Sequence, residues 1–306
     1  MKIKILLIAS LALSVSFMSC KKDNTSDNTD LVTHSDDQSN VANGIDDVSN
    51  DANTVIDNYN AFQGKVGDAD GITGLPCNAT AVMDSSNGIR RITVTFNGPN
   101  CAGNHNRVGV IVLSMPLTQH WKDAGAVLTI DVQNLKITRI SDGKSITVNG
   151  AWTVTNVSGG RLRDLAALGT ITHDIASSGI TVTFDNGSQR AWQVAKRRTF
   201  TYNNGIVIST IGTHTDGSTT GISEWGTNRF GTAFVTQITQ PMVIRQDCSF
   251  RLVSGEVKHS RLAANVVVTF GLDSQGNPVT CPSGNFYMKI VWTNANGVVR
   301  TYIIPY

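Results

Sequence analysis

The feature that most constrains the fold is a series of short runs, after Pro76, in which Thr, Val and Ile alternate with polar residues. A period of two places alternate side chains on one face of a β-strand. Asn-Gly or Asp-Gly pairs recur among the runs and supply the positive φ that tight hairpin turns require. These pairs begin at Asn87, Asn97, Asn149, Asn186, Asn204, Asn296, Asp142 and Asp216. The sequence therefore predicts a mainly β fold over residues 71–306, either an antiparallel β-sandwich or an extended β-meander.

The segment before this domain has a helical period instead. Its apolar residues are spaced alternately by four and three positions, at Val41, Ile45, Val48, Ala52, Val55, Tyr59 and Phe62. This spacing predicts a short amphipathic helix over residues 36–63. Its polar face is Asn and Asp, which are mediocre helix formers, so the helix needs a surface to dock on. That surface is either its own β-domain or a coiled-coil partner. A second helix is predicted at Gly160 to Leu168.

The N-terminus has the pattern of a secretory signal peptide over residues 1–19. Two lysines precede an apolar run from Ile5 to Phe17, which is too short to cross a bilayer. The end of this run and the residues after it, Phe17-Met18-Ser19-Cys20, resemble a bacterial lipobox, which predicts an acylated Cys20. A plain signal peptide with an incidental cysteine is the alternative. Residues 20–35 are rich in Asn, Asp, Ser and Thr and are predicted to form a disordered tether.

Charge divides the chain into two parts. Residues 21–70 contain three Lys against eleven Asp, whereas residues 71–306 contain twenty Lys and Arg against ten Asp and two Glu. A basic domain outside the cytoplasm is suited to anionic polysaccharide or lipid headgroups, and nucleic acid is not an expected partner. The alternative is that the two parts balance each other.

Four cysteines remain after Cys20, namely Cys77, Cys101, Cys248 and Cys281. In an exported protein they indicate two disulfides, with three possible pairings. An internal repeat favours Cys77–Cys101 and Cys248–Cys281, because each pair brackets a similar strand, at 92–96 and 266–270. No two of these cysteines have the spacing of metal ligands, so neither a metal site nor a cofactor is predicted.

These motifs resemble those of a group of uncharacterised lipoproteins from Bacteroidota, over roughly residues 75 to 306. The matching segments are Cys77, Ile92 to Phe96, Cys101, Asn149 to Asn156, Arg197 to Phe200, Gln240 to Val243, Cys248 and Val253 to Val257. The resemblance implies a lipid-anchored protein of the outer membrane or cell surface. It implies no activity and brings no catalytic residues.

The residues give little sign of catalysis. The chain lacks H-E-x-x-H, G-x-S-x-G and a phosphate-binding glycine loop. Glu224 and Glu256 are its two glutamates, and no Asp pair has a spacing that suggests a carboxylate mechanism. The sequence therefore predicts that the protein is not an enzyme. An extracellular hydrolase without a recognisable motif is the alternative.

The candidate ligand-binding residues lie between Arg190 and Tyr202. Alternation places Trp192, Lys196, Arg198 and Tyr202 on one face, where cations and aromatic rings would suit an anionic polysaccharide. The alternative is that the basic side chains only cover a sheet edge.

We expect a lipid-anchored envelope protein of the outer membrane that serves as a structural or binding module. A surface glycan-binding adhesin and a pilin-like subunit are the other non-catalytic alternatives.

Overall fold

The computed structural model describes residues 25–59, 62, 74–261, 264–282, 284–294 and 296–306. The predicted signal peptide and the lipidation residue Cys20 lie outside the described residues. The predicted tether, residues 20–35, is described from Thr25 onward.

Helix α1 extends over Thr25–Asn58 and is 34 residues long. It therefore begins eleven residues before the predicted start at 36 and ends before the predicted end at 63. Residues 25–35 are helical where the sequence predicted a disordered tether. The sequence permits this extension, because no Gly or Pro interrupts the chain before Gly44. The helix is docked on the sheet from Asp36 onward, and the extension continues that docked helix toward the N-terminus. No described helix is both long enough and apolar enough to span a membrane.

Fifteen antiparallel strands form one sheet, which confirms the prediction of a mainly β fold. The strands are β1 (Ala79–Ser86), β2 (Ile89–Pro99), β3 (His105–Pro116), β4 (Ala126–Arg139), β5 (Ser145–Asn156), β6 (Thr170–Phe184), β7 (Gln189–Tyr202), β8 (Ile206–Gly212), β9 (His214–Asp216), β10 (Thr219–Thr227), β11 (Ala233–Arg245), β12 (Arg251–Arg261), β13 (Ala264–Leu272), β14 (Tyr287–Thr293) and β15 (Val299–Pro305). The order β1 to β7 is sequential, and β10 to β15 continue the sheet from β7. The connectivity is thus that of the predicted meander. The predicted second helix is a short one, α2 (Leu165–Leu168).

Helix α1 packs against one face of the sheet, which we call the inner face. Val41, Val48 and Val55 of α1 are fully buried and belong to one cluster with apolar side chains of β2 to β7 and β11. The helix approaches β4 and β5 closely at Gly44, where an added Cβ would lie 3.0 Å from Ile137 Cδ1. The predicted apolar stripe therefore packs on the protein's own β-domain, which is the first of the two alternatives.

The cysteines lie in the two pairs that the sequence favoured. Cys77 and Cys101 join the open ends of the β1–β2 hairpin, and Cys248 and Cys281 join those of the β12–β13 hairpin. Both pairs are at disulfide distance, with a Cα–Cα separation of 5.1 Å. The repeated cysteine–strand pattern thus corresponds to two hairpins of the same design.

Candidate functional site

The strongest electrostatic feature is the contact between α1 and the inner face of the sheet. The helix sequence contains eight Asp and no Lys or Arg. Asp36 lies 2.9 Å from an Arg139 nitrogen and 2.8 Å from Lys144 Nζ, at the β4–β5 turn. Asp37 receives two hydrogen bonds from Arg229, at 2.5 and 2.6 Å. The first part of the helix is therefore held from two different regions of the sheet.

The middle of the helix is held by β3. Asp47 Oδ2 lies 2.9 Å from His105 Nδ1 and accepts a hydrogen bond from Asn100 at 3.1 Å. Asp51 forms an ion pair with Arg107, whose side chain is almost completely buried. These pairs show that four Asp residues of the acidic part meet cationic groups or a histidine of the basic part within the molecule, as one of the two alternatives for the charge split requires.

Burial changes the protonation of these acids. Burial raises the pKa of Asp51 to about 6, although the Arg107 guanidinium opposes that rise. Burial likewise raises the pKa of Asp37 in spite of Arg229. For Asp36, burial also raises the pKa, but hydrogen bonds from Arg139 and Lys144 outweigh it and leave the pKa below its ordinary value. All three carboxylates serve to seat the helix.

A second polar cluster lies on β7, β10, β11 and β12. Lys196 Nζ donates a hydrogen bond to Glu224 Oε1 at 2.5 Å, and the Glu224 side chain is only 4% exposed. His259 Nδ1 lies 2.9 Å from the Thr236 hydroxyl, and burial lowers the pKa of His259 to about 4. Burial also lowers the pKa of Arg190 to about 10. Sequence reasoning missed this cluster, because the strand pattern gave no sign that these four strands bring their polar side chains together.

The candidate ligand-binding residues do not form an exposed surface. Alternation along β7 is as predicted, but the shared face is the inner one. Trp192 is 2% exposed, so its ring cannot stack on a sugar. Lys196 is bonded to Glu224, Arg198 is partly buried, and only Tyr202, at the end of the strand, is half exposed.

Three of these four residues line one small cavity. Trp192, Lys196 and Arg198 surround a space of about 10 Å³ beneath Ile45 and Ser49 of α1. A volume of this size holds at most one water molecule. The helix covers this part of the face, so Trp192, Lys196 and Arg198 do not form an exposed surface for a polysaccharide.

The two glutamates are also used internally. Glu224 pairs with Lys196. Glu256 accepts hydrogen bonds from the hydroxyls of Thr239 at 2.7 Å and Thr269 at 3.1 Å.

One group of potential metal ligands lies close together among the described residues, at Asp247, Cys248 and Cys281. The two cysteines are paired with each other, and the Asp247 carboxylate receives a hydrogen bond from Arg245 at 2.5 Å. This arrangement offers no thiolate and does not suit a soft metal ion.

An open hollow lies where two loops meet near the C-terminal end of α1, and we call it the basic hollow. It has a volume of about 610 Å³ and is lined by Lys122, Gly160, Arg161, Arg163, Asp164, Ala166, Ala167 and Leu168. Arg163 donates a hydrogen bond to the Asp57 carbonyl at 2.6 Å, which ties the hollow to the helix. Sequence reasoning missed this site; the available signal was Gly159-Gly160 directly before Arg161, with Arg163 two residues on.

Comparisons with models of protein families, with curated proteins and with solved structures found no match for this chain. The protein is described by its own architecture, an antiparallel sheet of fifteen strands with an acidic helix packed on its inner face.

Proposed function

We propose that this is a lipid-anchored protein of the outer membrane, whose β-domain is a non-catalytic structural or binding module of the cell envelope. Acylation of Cys20 after removal of residues 1–19 would attach it to the membrane. After residues 1–19 are removed, no apolar run in the sequence approaches the roughly 20 residues of a membrane-spanning helix.

The observation that carries the proposal is the position of α1. Only residues 21–24 separate Cys20 from the start of the helix at Thr25. Five residue steps span at most about 18 Å when fully extended. Because α1 is packed on the sheet from Asp36 onward, a lipid on Cys20 would hold the end of the domain where this helix begins close to the membrane surface. This supports an envelope module that is tied to the bilayer.

The use of the acidic residues supports a non-catalytic role over the hydrolase alternative. Hydrolases need carboxylates, or a nucleophile with its base, that converge where a substrate can enter. Asp36, Asp37 and Asp51 are instead paired with cations beneath the helix. Glu224 and Glu256 are also bonded to neighbouring side chains.

The test is metabolic labelling with an alkyne analogue of palmitate, followed by membrane fractionation. We expect label on the wild-type protein and none on Cys20→Ser, which should also leave the membrane fraction. Protease treatment of intact cells would then show whether the domain faces the medium. An unlabelled wild-type protein, or membrane retention of Cys20→Ser, would contradict the proposal.

A surface glycan-binding module is the second candidate. The observation that favours it is the basic hollow, which is open to solvent and lined by three cationic residues. The buried face around Trp192 does not support this candidate.

A further inference from the structure

We propose that the basic hollow binds an acidic saccharide unit of an anionic polysaccharide. This inference rests on the glycan-binding candidate above and assigns it a site and a ligand class.

Charge is the first argument for an anion. Lys122, Arg161 and Arg163 line the hollow, and Asp164 is the one acidic residue in its lining. Asp164 is already bonded to Arg161, at 2.6 Å. The described residues place no hydrogen bond or ion pair on the exposed ammonium of Lys122. The Asp57 carboxylate at the end of α1 also interacts electrostatically with Arg163 and Arg161. With three cations against Asp164 and Asp57, the hollow keeps a net positive charge, and its cations come from two separate loops.

Shape and polarity favour a sugar over a bare inorganic anion. Ala166, Ala167 and Leu168 form an apolar wall, and the Leu168 side chain is half exposed. The C–H face of a pyranose ring can pack on such a wall while its carboxylate meets the cations. The volume of about 610 Å³ lies within the roughly 300 to 1,000 Å³ range of small-molecule sites. Because the hollow is open, a longer chain can extend beyond it on either side.

The hollow is built on a rigid base. Asn156 is fully buried, and its amide donates hydrogen bonds to the carbonyls of Trp121 at 2.7 Å and Gly160 at 2.8 Å, which joins the two loops. Gly160 also donates its own N–H to the Lys122 carbonyl at 2.7 Å. Gly159 has a φ of 75°, and a Cβ there would lie 2.8 Å from the Lys122 carbonyl oxygen. A preformed site of this kind loses little entropy on binding.

The position of the hollow argues against the protein's own membrane as the source of the anion. Arg163 contacts Asp57, which is 32 residues along α1 from Thr25. At 1.5 Å per residue this is about 48 Å from the end of the helix that follows Cys20. The hollow therefore lies at the opposite end of α1 from the proposed lipid.

The test is a binding titration of the full chain, purified in detergent, with trigalacturonic acid and with its neutral methyl ester. We expect binding of the acid only, weakened by added salt. Lys122→Gln should weaken it about threefold, and Lys122→Gln with Arg163→Gln about tenfold, the effects of one and two exposed charge contacts. Lys136→Gln, an equal charge loss on an exposed position of β4, is the matched control and should leave the affinity unchanged.

Two further variants keep the result interpretable. Arg163→Lys retains the charge and should keep most of the affinity, and Leu168→Asp should abolish binding by placing a carboxylate on the apolar wall. Equal binding of the acid and its ester, or no effect of Lys122→Gln and Leu168→Asp, would overturn the proposal. Tighter binding of anionic lipid vesicles or inorganic phosphate than of the saccharide, through the same residues, would overturn the ligand class. Acylation is measured separately, so failure of this proposal leaves the membrane-anchor proposal standing.

Discussion

At the scale of single residues, two arginines of the inner face each make two kinds of contact. Arg107 lies 4.4 Å from the centre of the Phe96 ring and also pairs with Asp51. Arg229 lies 3.7 Å from the Phe184 ring and also pairs with Asp37. A planar guanidinium can stack on a ring through its face and bind a carboxylate through its edge, which an ammonium cannot do. We therefore expect these positions to tolerate lysine poorly.

Arg107→Ala should destabilise the protein by about 3 kcal/mol, because it leaves the buried Asp51 without its cation. The matched control is Arg91→Ala on the neighbouring strand. Arg91 lies 3.9 Å from the exposed Asp84, and loss of such a surface pair costs under about 1 kcal/mol. Urea denaturation of both variants measures the difference. Equal stabilities would show that the Arg107–Asp51 pair does not hold the helix.

His173 gives a prediction about pH. Burial lowers the pKa of this histidine to about 4, and its ring lies between Trp121 and Phe200, with ring centres 5.1 Å apart in both cases. The unfolded chain, with an ordinary pKa near 6.5, binds a proton that the folded state excludes, so His173 lowers stability as the pH falls from about 6.5 to 4. His173→Phe should remove this loss and change the slope by about 1.4 kcal/mol per pH unit near pH 5.

Asp51 and Asp57 act in the opposite direction. Burial raises the pKa of each to about 6, so the folded state binds protons that the unfolded chain does not bind between about pH 6 and 4, and both residues favour folding as the pH falls. The dependence of wild-type stability on pH is therefore a sum of opposing contributions. Denaturation of wild type and His173→Phe at several pH values isolates the histidine. If the stabilities of wild type and His173→Phe changed in parallel with pH, the lowered pKa of His173 would be contradicted.

At the scale of elements, the apolar period of α1 predicted which residues are buried but not how far the helix extends. Val41, Val48 and Val55 are all buried as expected. Propensity could not show what stabilises the helix, because Asp36, Asp37, Asp47 and Asp51, which look unfavourable in an isolated helix, have their partners on the sheet. Those partners are Arg139, Lys144, Arg229, His105 and Arg107. These partners are far away in the sequence.

The Asn-Gly pairs correspond to hairpin turns only where they lie between two strands. Asn87-Gly88 forms the β1–β2 turn, with φ values of 54° and 73°. Asn149-Gly150, by contrast, lies inside β5, where a Cβ on Gly150 would lie 2.5 Å from the Gly179 carbonyl oxygen of β6. The same dipeptide therefore serves a turn in one place and a close strand contact in another. The sequence alone does not distinguish them.

The alternation of residues along β7 shows a related limit of prediction from sequence. Alternation correctly predicted that Trp192, Lys196 and Arg198 share a face, since the period of a strand is local. Which face is covered depends on α1, which is more than a hundred residues away in the sequence. The hollow at Lys122 and Arg163 was missed for the same reason, because it forms only when two loops meet.

The packing of the apolar residues of α1 on the sheet can be tested with Val48→Ala. Val48 is fully buried in the core, and its truncation should cost about 2 kcal/mol. Thr54→Ala is the matched control on the same helix, because Thr54 is also β-branched but exposed, and we expect a change within about 0.5 kcal/mol. Thermal or urea denaturation provides the measurement. A neutral Val48→Ala would mean that α1 is not seated on the sheet.

At the scale of the whole molecule, the acidic and basic parts of the sequence are the two sides of one interface. The net charge of +2 is the sum of an acidic part and a basic part of the sequence, so it does not describe the surface of the sheet. An exposed concentration of cations is found instead at the basic hollow, at the end of the molecule far from Thr25. This arrangement separates the proposed membrane anchor from the proposed ligand site.

The central claim is that α1 is part of the core of the sheet, and hydrogen exchange of backbone amides in the native protein tests it most directly. We expect amides of residues 41–55 to exchange only through global unfolding, with the same free energy as the amides of β3, β4 and β5. Exchange of the helix amides within seconds, while those strands stay protected, would contradict this account.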